Sequence, residues 1–318
     1  MTDNFAALAA KAVKEQDFVS ALGIYANWYA ANPAYFHNTI SDDSVRETHI
    51  SNAANLARKK LYDNVLPALG VSDRIDKAVH FYFGLKTKSF SNLLQQPAFF
   101  YVPGLTAKPF YEVKEVTGLS EFIKSLQPFK KALSELSQKS FQHYVDQSGP
   151  VPATSGWQQV KQKWLSTHLL LGGNKTELND ASIKQCQQLF DDPLVANCPP
   201  HAAEVFVSSL LPSAEIPEHY GISNIKLTVH IPLQVNGSAC LQAGKSNVCW
   251  HQSLDAIVFD DSFLHSASNH GVERRDVLIF DVWHPDLANA EKNAIRHFMA
   301  QHQLWSEKYA KLAALDAR

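Results

Sequence analysis

The 318-residue chain has no apolar run approaching the roughly 18 consecutive residues of a transmembrane helix. Its start, "MTDNFAALAAKAVKEQDF", has acidic residues and no basic opening followed by an apolar stretch, so it does not read as a signal peptide. Net charge is small, −2 with a pI near 6.7, so electrostatics give no reason to expect nucleic acid or an anionic membrane as partner. Cysteine is scarce, and Cys186, Cys198, Cys240 and Cys249 show no CxxC spacing. That pattern predicts free thiols in a reducing cytoplasm, not a disulfide framework or a zinc knuckle. With 45% apolar and 19% charged residues, the composition is that of an ordinary globular protein with a large core.

Three stretches order the chain. Residues 1–90 read as a helical region. "NFAALAAKAVKEQDFVSALGIYANWYAANP" has apolar residues at helical spacing and stops at Asn32-Pro33, resembling a single tetratricopeptide-like hairpin. Ser44 and Glu47 form a capping-box pattern opening the next helix, and "DRIDKAVHFYFGL" predicts a third. Residues 91–290 begin with a proline-punctuated crossing and the helical "GLSEFIKSLQPFKKALSELSQKSFQHYV". Short Val-, Ile- and Phe-rich runs then follow, among them "AEVFVSSLLP", "NIKLTVHIPLQV", "AIVFDDS" and "RDVLIFDVWHP". Turn residues separate them at 8–12-residue spacing, which predicts an antiparallel sandwich or barrel. Residues 291–318 close the chain as one helix. The expected class is α+β with a jelly-roll-like β part.

Three histidines punctuate the β region: His219 in the predicted loop "PEHYGISN", His230 in a strand, and His265 just after "FDDSF". Imidazole suits iron, zinc, copper and nickel alike. Arg275 follows His265 by ten residues, at the start of a strand, where its fork suits a carboxylate. Each also has a plainer reading. A histidine near a turn is commonly structural, an arginine beside aspartates is commonly a salt bridge, and "FDD" serves equally as a polar strand end.

Taken together, "YVPGLTAKPFY", "HYGISNIKLTVHIPL", "VCW", "IVFDDSFLHSASN" and "RRDVLIFDVWHP" resemble the aspartyl/asparaginyl β-hydroxylase family of 2-oxoglutarate-dependent oxygenases, over roughly residues 97 to 290. The resemblance implies a double-stranded β-helix, the jelly-roll or cupin-like fold, flanked by helices. It implies Fe(II) and 2-oxoglutarate as cofactors, with His219 and His265 as the metal ligands. The family has glycine where related oxygenases have a carboxylate ligand, and Gly221 stands there. Asp261 is then a catalytic group holding a metal-bound water, with direct ligation as the rival role. A functional vacancy at Gly221 leads to the expectation that Gly221→Asp binds metal more tightly and turns over more slowly.

For the cosubstrate, the resemblance implies that Arg275 and Ser208 bind the distal carboxylate and His230 the near one. Trp164 matches a family tryptophan, with Trp157 as the alternative. One departure is Thr228, where the family commonly has arginine; Lys226, on the same strand face, is the candidate replacement. The implied reaction is hydroxylation of the β-carbon of an aspartyl or asparaginyl side chain in a protein, a peptide or a small amino-acid-like molecule. Two rivals stand beside it: a family oxygenase acting on another small molecule or a lipid, and a non-catalytic cupin-like binding module with a helical docking region.

Overall fold

A computed structural model describes residues 2–37, 44–139, 142–147, 154–235 and 237–316. The chain divides into two compact units, one of Met1–Leu69 with His297–Arg318, the other of Gly70–Arg296. The partition expected from sequence fell instead at 90 and 290; the helix predicted in "DRIDKAVHFYFGL" belongs to the second unit.

The first unit is helical: α1 Thr2–Lys14, α2 Phe18–Ala31, α3 Pro33–His37 and α4 Ser44–Val65, together with the later part of the C-terminal helix. The α1–α2 hairpin breaks where the Asp17 carboxylate accepts the Ser20 backbone N–H, satisfying a donor the new helix leaves open. Leu22, Tyr25, Trp28, Phe36, Ile50, Ala53, Ala57 and Leu312 form its core. Two buried polar tips are paired: Tyr25 OH with His49 Nδ1 at 2.9 Å, and Trp305 Nε1 donating to the Ala57 carbonyl at 2.7 Å.

The second unit holds α5 Asp73–Tyr82, α6 Leu119–Leu126, α7 Lys130–Lys139, α8 Tyr144–Gln147, α9 Ser155–Lys161, α10 Ala181–Leu189 and the first turns of α11 Asn289–Ala313. Its strands are β1 Phe110–Tyr111, β2 Gln142–His143, β3 Trp164–Leu171, β4 Asn174–Lys175, β5 Val205–Leu210 and β6 Ala214–His219. They continue as β7 Lys226–Gln234, β8 Ala239–Ala243, β9 Ser246–Cys249, β10 Ile257–Phe259, β11 His265–Asn269 and β12 Arg275–Trp283. A major antiparallel sheet runs β1-β10-β7-β12-β5-β3-β2, with β4 against β3; a minor one runs β6-β11-β8-β9. This is the expected double-stranded β-helix.

Alternation sorts the residues of the major sheet. Leu227, Val229, Ile231, Leu278, Phe280 and Val282 face outward and pack under α6, α7 and α10. Phe206, Leu210, Val277 and Ile279 face inward and meet Ala214, Ile216, Leu241 and Ala267 of the minor sheet. The central strands β7 and β12 are therefore covered on both faces, which explains their near-continuous burial. The same inward face carries the polar residues of the site.

Two expectations change here. His219 is not in a loop; it is the last residue of β6. "AEIPEH" hid its strand because Pro217 and the glutamates lower its β signal, yet proline is tolerated on an edge strand such as this one. The cysteine reading changes as well. Cys240 and Cys249 stand opposite each other in the β8–β9 hairpin and are joined by a disulfide; only Cys186 and Cys198 are free, both buried. The pair lies across the hairpin, nine residues apart, outside any CxxC spacing. The inference to a reducing compartment loses the four free thiols on which it rested. Thiol titration of the denatured, unreduced protein should find two thiols per chain, and reduction should lower unfolding stability by about 2–3 kcal/mol, the closure entropy of so short a loop. Four titratable thiols would contradict the pairing.

Candidate metal and cosubstrate site

The end of β6 and the start of β11 pair so that His219 stands opposite His265. Their ring centroids are 4.1 Å apart with planes inclined by 50°. His219 Nδ1 lies 2.8 Å from the Pro217 carbonyl oxygen, and His265 Nδ1 lies 2.9 Å from that of Phe263. A carbonyl only accepts, so each Nδ1 carries the proton and each Nε2 keeps its lone pair. Burial lowers both imidazoles, His265 to about 4, so both are neutral near pH 7. Two neutral imidazoles with fixed tautomers suit a divalent metal. Among the described residues, no group of three His, Cys, Asp or Glu side chains is arranged to hold one. A metal held by this pair alone would keep open coordination positions.

The two aspartates of "FDDS" have separate tasks. Asp260 builds the turn: its carboxylate accepts from the Ser262 N–H at 2.9 Å, the Ser262 hydroxyl and the Gln95 amide, and burial raises its pKa to about 7. Asp261 turns toward Gly221. The Gly221 N–H donates to the Asp261 carbonyl at 2.7 Å, and a Cβ at residue 221 would lie 2.6 Å from the Asp261 carboxyl carbon. The glycine is required by close approach. What stands beside it is the carboxylate of Asp261, not open space.

Arg275 is 1% exposed, and its Nε and Nη1 have no partner in the protein. Its guanidinium lies over Trp250 at 4.6 Å. Burial lowers its pKa only to about 10, so it stays cationic at neutral pH. Asp276 offsets part of the desolvation electrostatically, but a buried guanidinium with unpartnered nitrogens remains costly, and a bound carboxylate would lower that cost. His230 stacks on the same Trp250, centroids 5.8 Å apart, with Nδ1 unpartnered. Desolvation, then Arg275 and His265, hold His230 well below its usual pKa, so it lies within electrostatic reach of both. Ser208 is fully buried and accepts from Trp164 Nε1 at 3.0 Å. Trp157 lies elsewhere, 5.2 Å from His219.

The structure thus brings His219, His265, Asp261, His230, Arg275, Ser208 and Trp164 onto the inner face of one barrel. Three participants were not picked out from the sequence. Trp250 packs on both Arg275 and His230; its only signal was its place in "VCW". Asp281, also on the inner face of β12, bonds Lys226 and Thr228. Tyr144 stacks on Trp164, with centroids 4.0 Å apart, across the inner end of β3.

The model of the aspartyl/asparaginyl beta-hydroxylase family matches residues 127–285. The chain belongs to that family. Aspartate beta-hydroxylase domain-containing protein 2 of Xenopus tropicalis is 28% identical over 218 residues, covering 65% of this chain and 55% of that protein. Human aspartyl/asparaginyl beta-hydroxylase is 24% identical over 217 residues, 67% of this chain and 27% of that one. The chain spans about half or less of these relatives' lengths. Among solved structures, a 2OG-Fe(II) oxygenase family oxidoreductase from Burkholderia pseudomallei covers 58% of this chain at TM-score 0.34 and 12% identity, too distant to carry an argument.

The crowding at Gly221 adds a steric cost to its substitution. Gly221→Ala should displace the Asp261 carboxylate and cost about 1–3 kcal/mol of stability, the usual penalty of overpacking. Gly221→Asp should be worse, because it sets a second carboxylate against the first. Denaturant unfolding of both variants checks this, and a Gly221→Asp protein as stable as wild type would contradict it.

Proposed function

We propose that this chain is an Fe(II)- and 2-oxoglutarate-dependent oxygenase that hydroxylates the β-carbon of an aspartyl or asparaginyl side chain. The acceptor is a protein, a peptide or a small amino-acid-like molecule. Membership of the hydroxylase family supports the reaction class. The single observation that carries the reading is Arg275, a buried guanidinium with unpaired nitrogens on the same inner face as two imidazoles that present free Nε2 atoms.

In this reading His219 and His265 hold the iron, and Arg275 with Ser208 takes the distal carboxylate of the keto acid. His230 meets the near carboxylate. The bound iron and keto acid supply the oxidising chemistry. The chain's own residues orient and seclude. The carbonyls of Pro217 and Phe263 fix the imidazole tautomers, Trp250 fixes the planes of Arg275 and His230, and Trp164 fixes the Ser208 hydroxyl. Thr228 does not replace the missing arginine, since its hydroxyl donates to Asp281. A module that merely binds through the barrel has no use for paired, tautomer-fixed imidazoles beside an anion site. No helix among the described residues is long and apolar enough to cross a membrane.

Loading the protein with Fe(II) and 2-oxoglutarate under anaerobic conditions, then admitting oxygen with aspartyl and asparaginyl peptides, should release succinate. His219→Ala and His265→Ala should each reduce release to background. Release that survives either substitution would contradict the assignment.

A further inference from the structure

Lys226, Thr228 and His230 share the inward face of β7, where only His230 has an evident cosubstrate role. Lys226 is 6% exposed, and its ammonium lies 3.0 Å from Asp261 Oδ2 and 2.9 Å from Asp281 Oδ1. The Thr228 hydroxyl donates to the same Asp281 oxygen at 2.9 Å. Asp261 Oδ1, by contrast, is buried and has no partner in the protein. One oxygen of Asp261 is tied down and the other is free. The free oxygen belongs to a carboxylate that lies against Gly221, two residues from His219, and precedes His265 by four.

We propose that Lys226, locked in place by Asp281 and Thr228, is a positioning residue that holds Asp261 so that its free oxygen serves the metal site. This rests on the reading of His219 and His265 as metal ligands. A short carboxylate has two torsions to fix. The backbone link from Gly221 N–H to the Asp261 carbonyl fixes the main chain, and the ammonium fixes the side chain. The ammonium is itself held because a buried lysine between two carboxylates has no lower-energy place to go. Lys226 is therefore not the replacement for the family's arginine on the cosubstrate. Both it and Thr228 are engaged in an arrangement that acts on the metal through Asp261.

The double variant Lys226→Met with Asp281→Asn tests this. It removes one positive and one negative charge together, so the net charge beside the metal is unchanged and a loss of affinity reports position. Co(II) is titrated without oxygen or cosubstrate, and its spectrum gives occupancy. The double variant should bind Co(II) about 10-fold or more weakly, as is usual when the partner of a metal-site group is lost. Lys226→Arg, which keeps the cation, should recover most of the affinity. At saturating Co(II), the affinity of the double variant for 2-oxoglutarate should equal that of wild type. Wild-type Co(II) affinity in the double variant, or a loss confined to 2-oxoglutarate, would overturn the proposal. Thr228→Val, nearly isosteric, should shift Co(II) affinity in the same direction by a smaller factor; if the double variant does not fold, no shift in Thr228→Val overturns it. His219→Ala serves as the reference: Co(II) binding that survives it sinks the metal assignment itself, a separate failure.

Discussion

The site depends on one unsatisfied charge. A guanidinium at 1% exposure, with two nitrogens unpaired, is a standing electrostatic cost. Lys226 shows the contrast, since the same barrel gives it two carboxylates. Arg275 instead has an aromatic face and a neutral imidazole beside it. Asp276 offsets part of that burial electrostatically, but two guanidinium nitrogens stay without a partner, and a bound carboxylate would supply one. Trp250 keeps the guanidinium plane fixed while the ligand is absent, with cation–π attraction offsetting part of the desolvation.

The histidine pair follows from the geometry of the minor sheet. His219 and His265 converge because β6 and β11 are antiparallel and their ends coincide. Each ring then bonds the carbonyl two residues before it, so the chain sets its own tautomers without a further side chain. The continuation of β6 carries Gly221, and the turn before β11 carries Asp261, which brings the carboxylate against the glycine. Position 221 therefore remains without a side chain for a steric reason. In this account Lys226, Asp281 and Thr228 extend the same arrangement outward to β7 and β12.

Much of this was legible in the sequence, for definite reasons. Strands β7, β10 and β12 carry long apolar runs because both their faces are covered, and such runs survive without partners in view. His230 and Arg275 stood out because ligating or charged side chains in those runs demand an explanation, whereas His219 and His265 were marked out by the family resemblance of the motifs around them. The edge strand β6 was not legible: Pro217 and the glutamates suit an exposed edge and mask its pattern. Nor was the Cys240–Cys249 pairing, which depends on hairpin register more than on spacing. The partners of Lys226 lie 35 and 55 residues away in sequence, and no local pattern connects them.

The most direct test of the account is the affinity of the Co(II)-loaded protein for 2-oxoglutarate, measured by calorimetry without oxygen, for wild type and Arg275→Ala. A charge-assisted hydrogen bond contributes roughly 1.5–3 kcal/mol, so the substitution should weaken binding about 10- to 100-fold while Co(II) affinity stays the same. Unchanged 2-oxoglutarate affinity in Arg275→Ala would contradict the claim that this buried cation awaits a cosubstrate carboxylate.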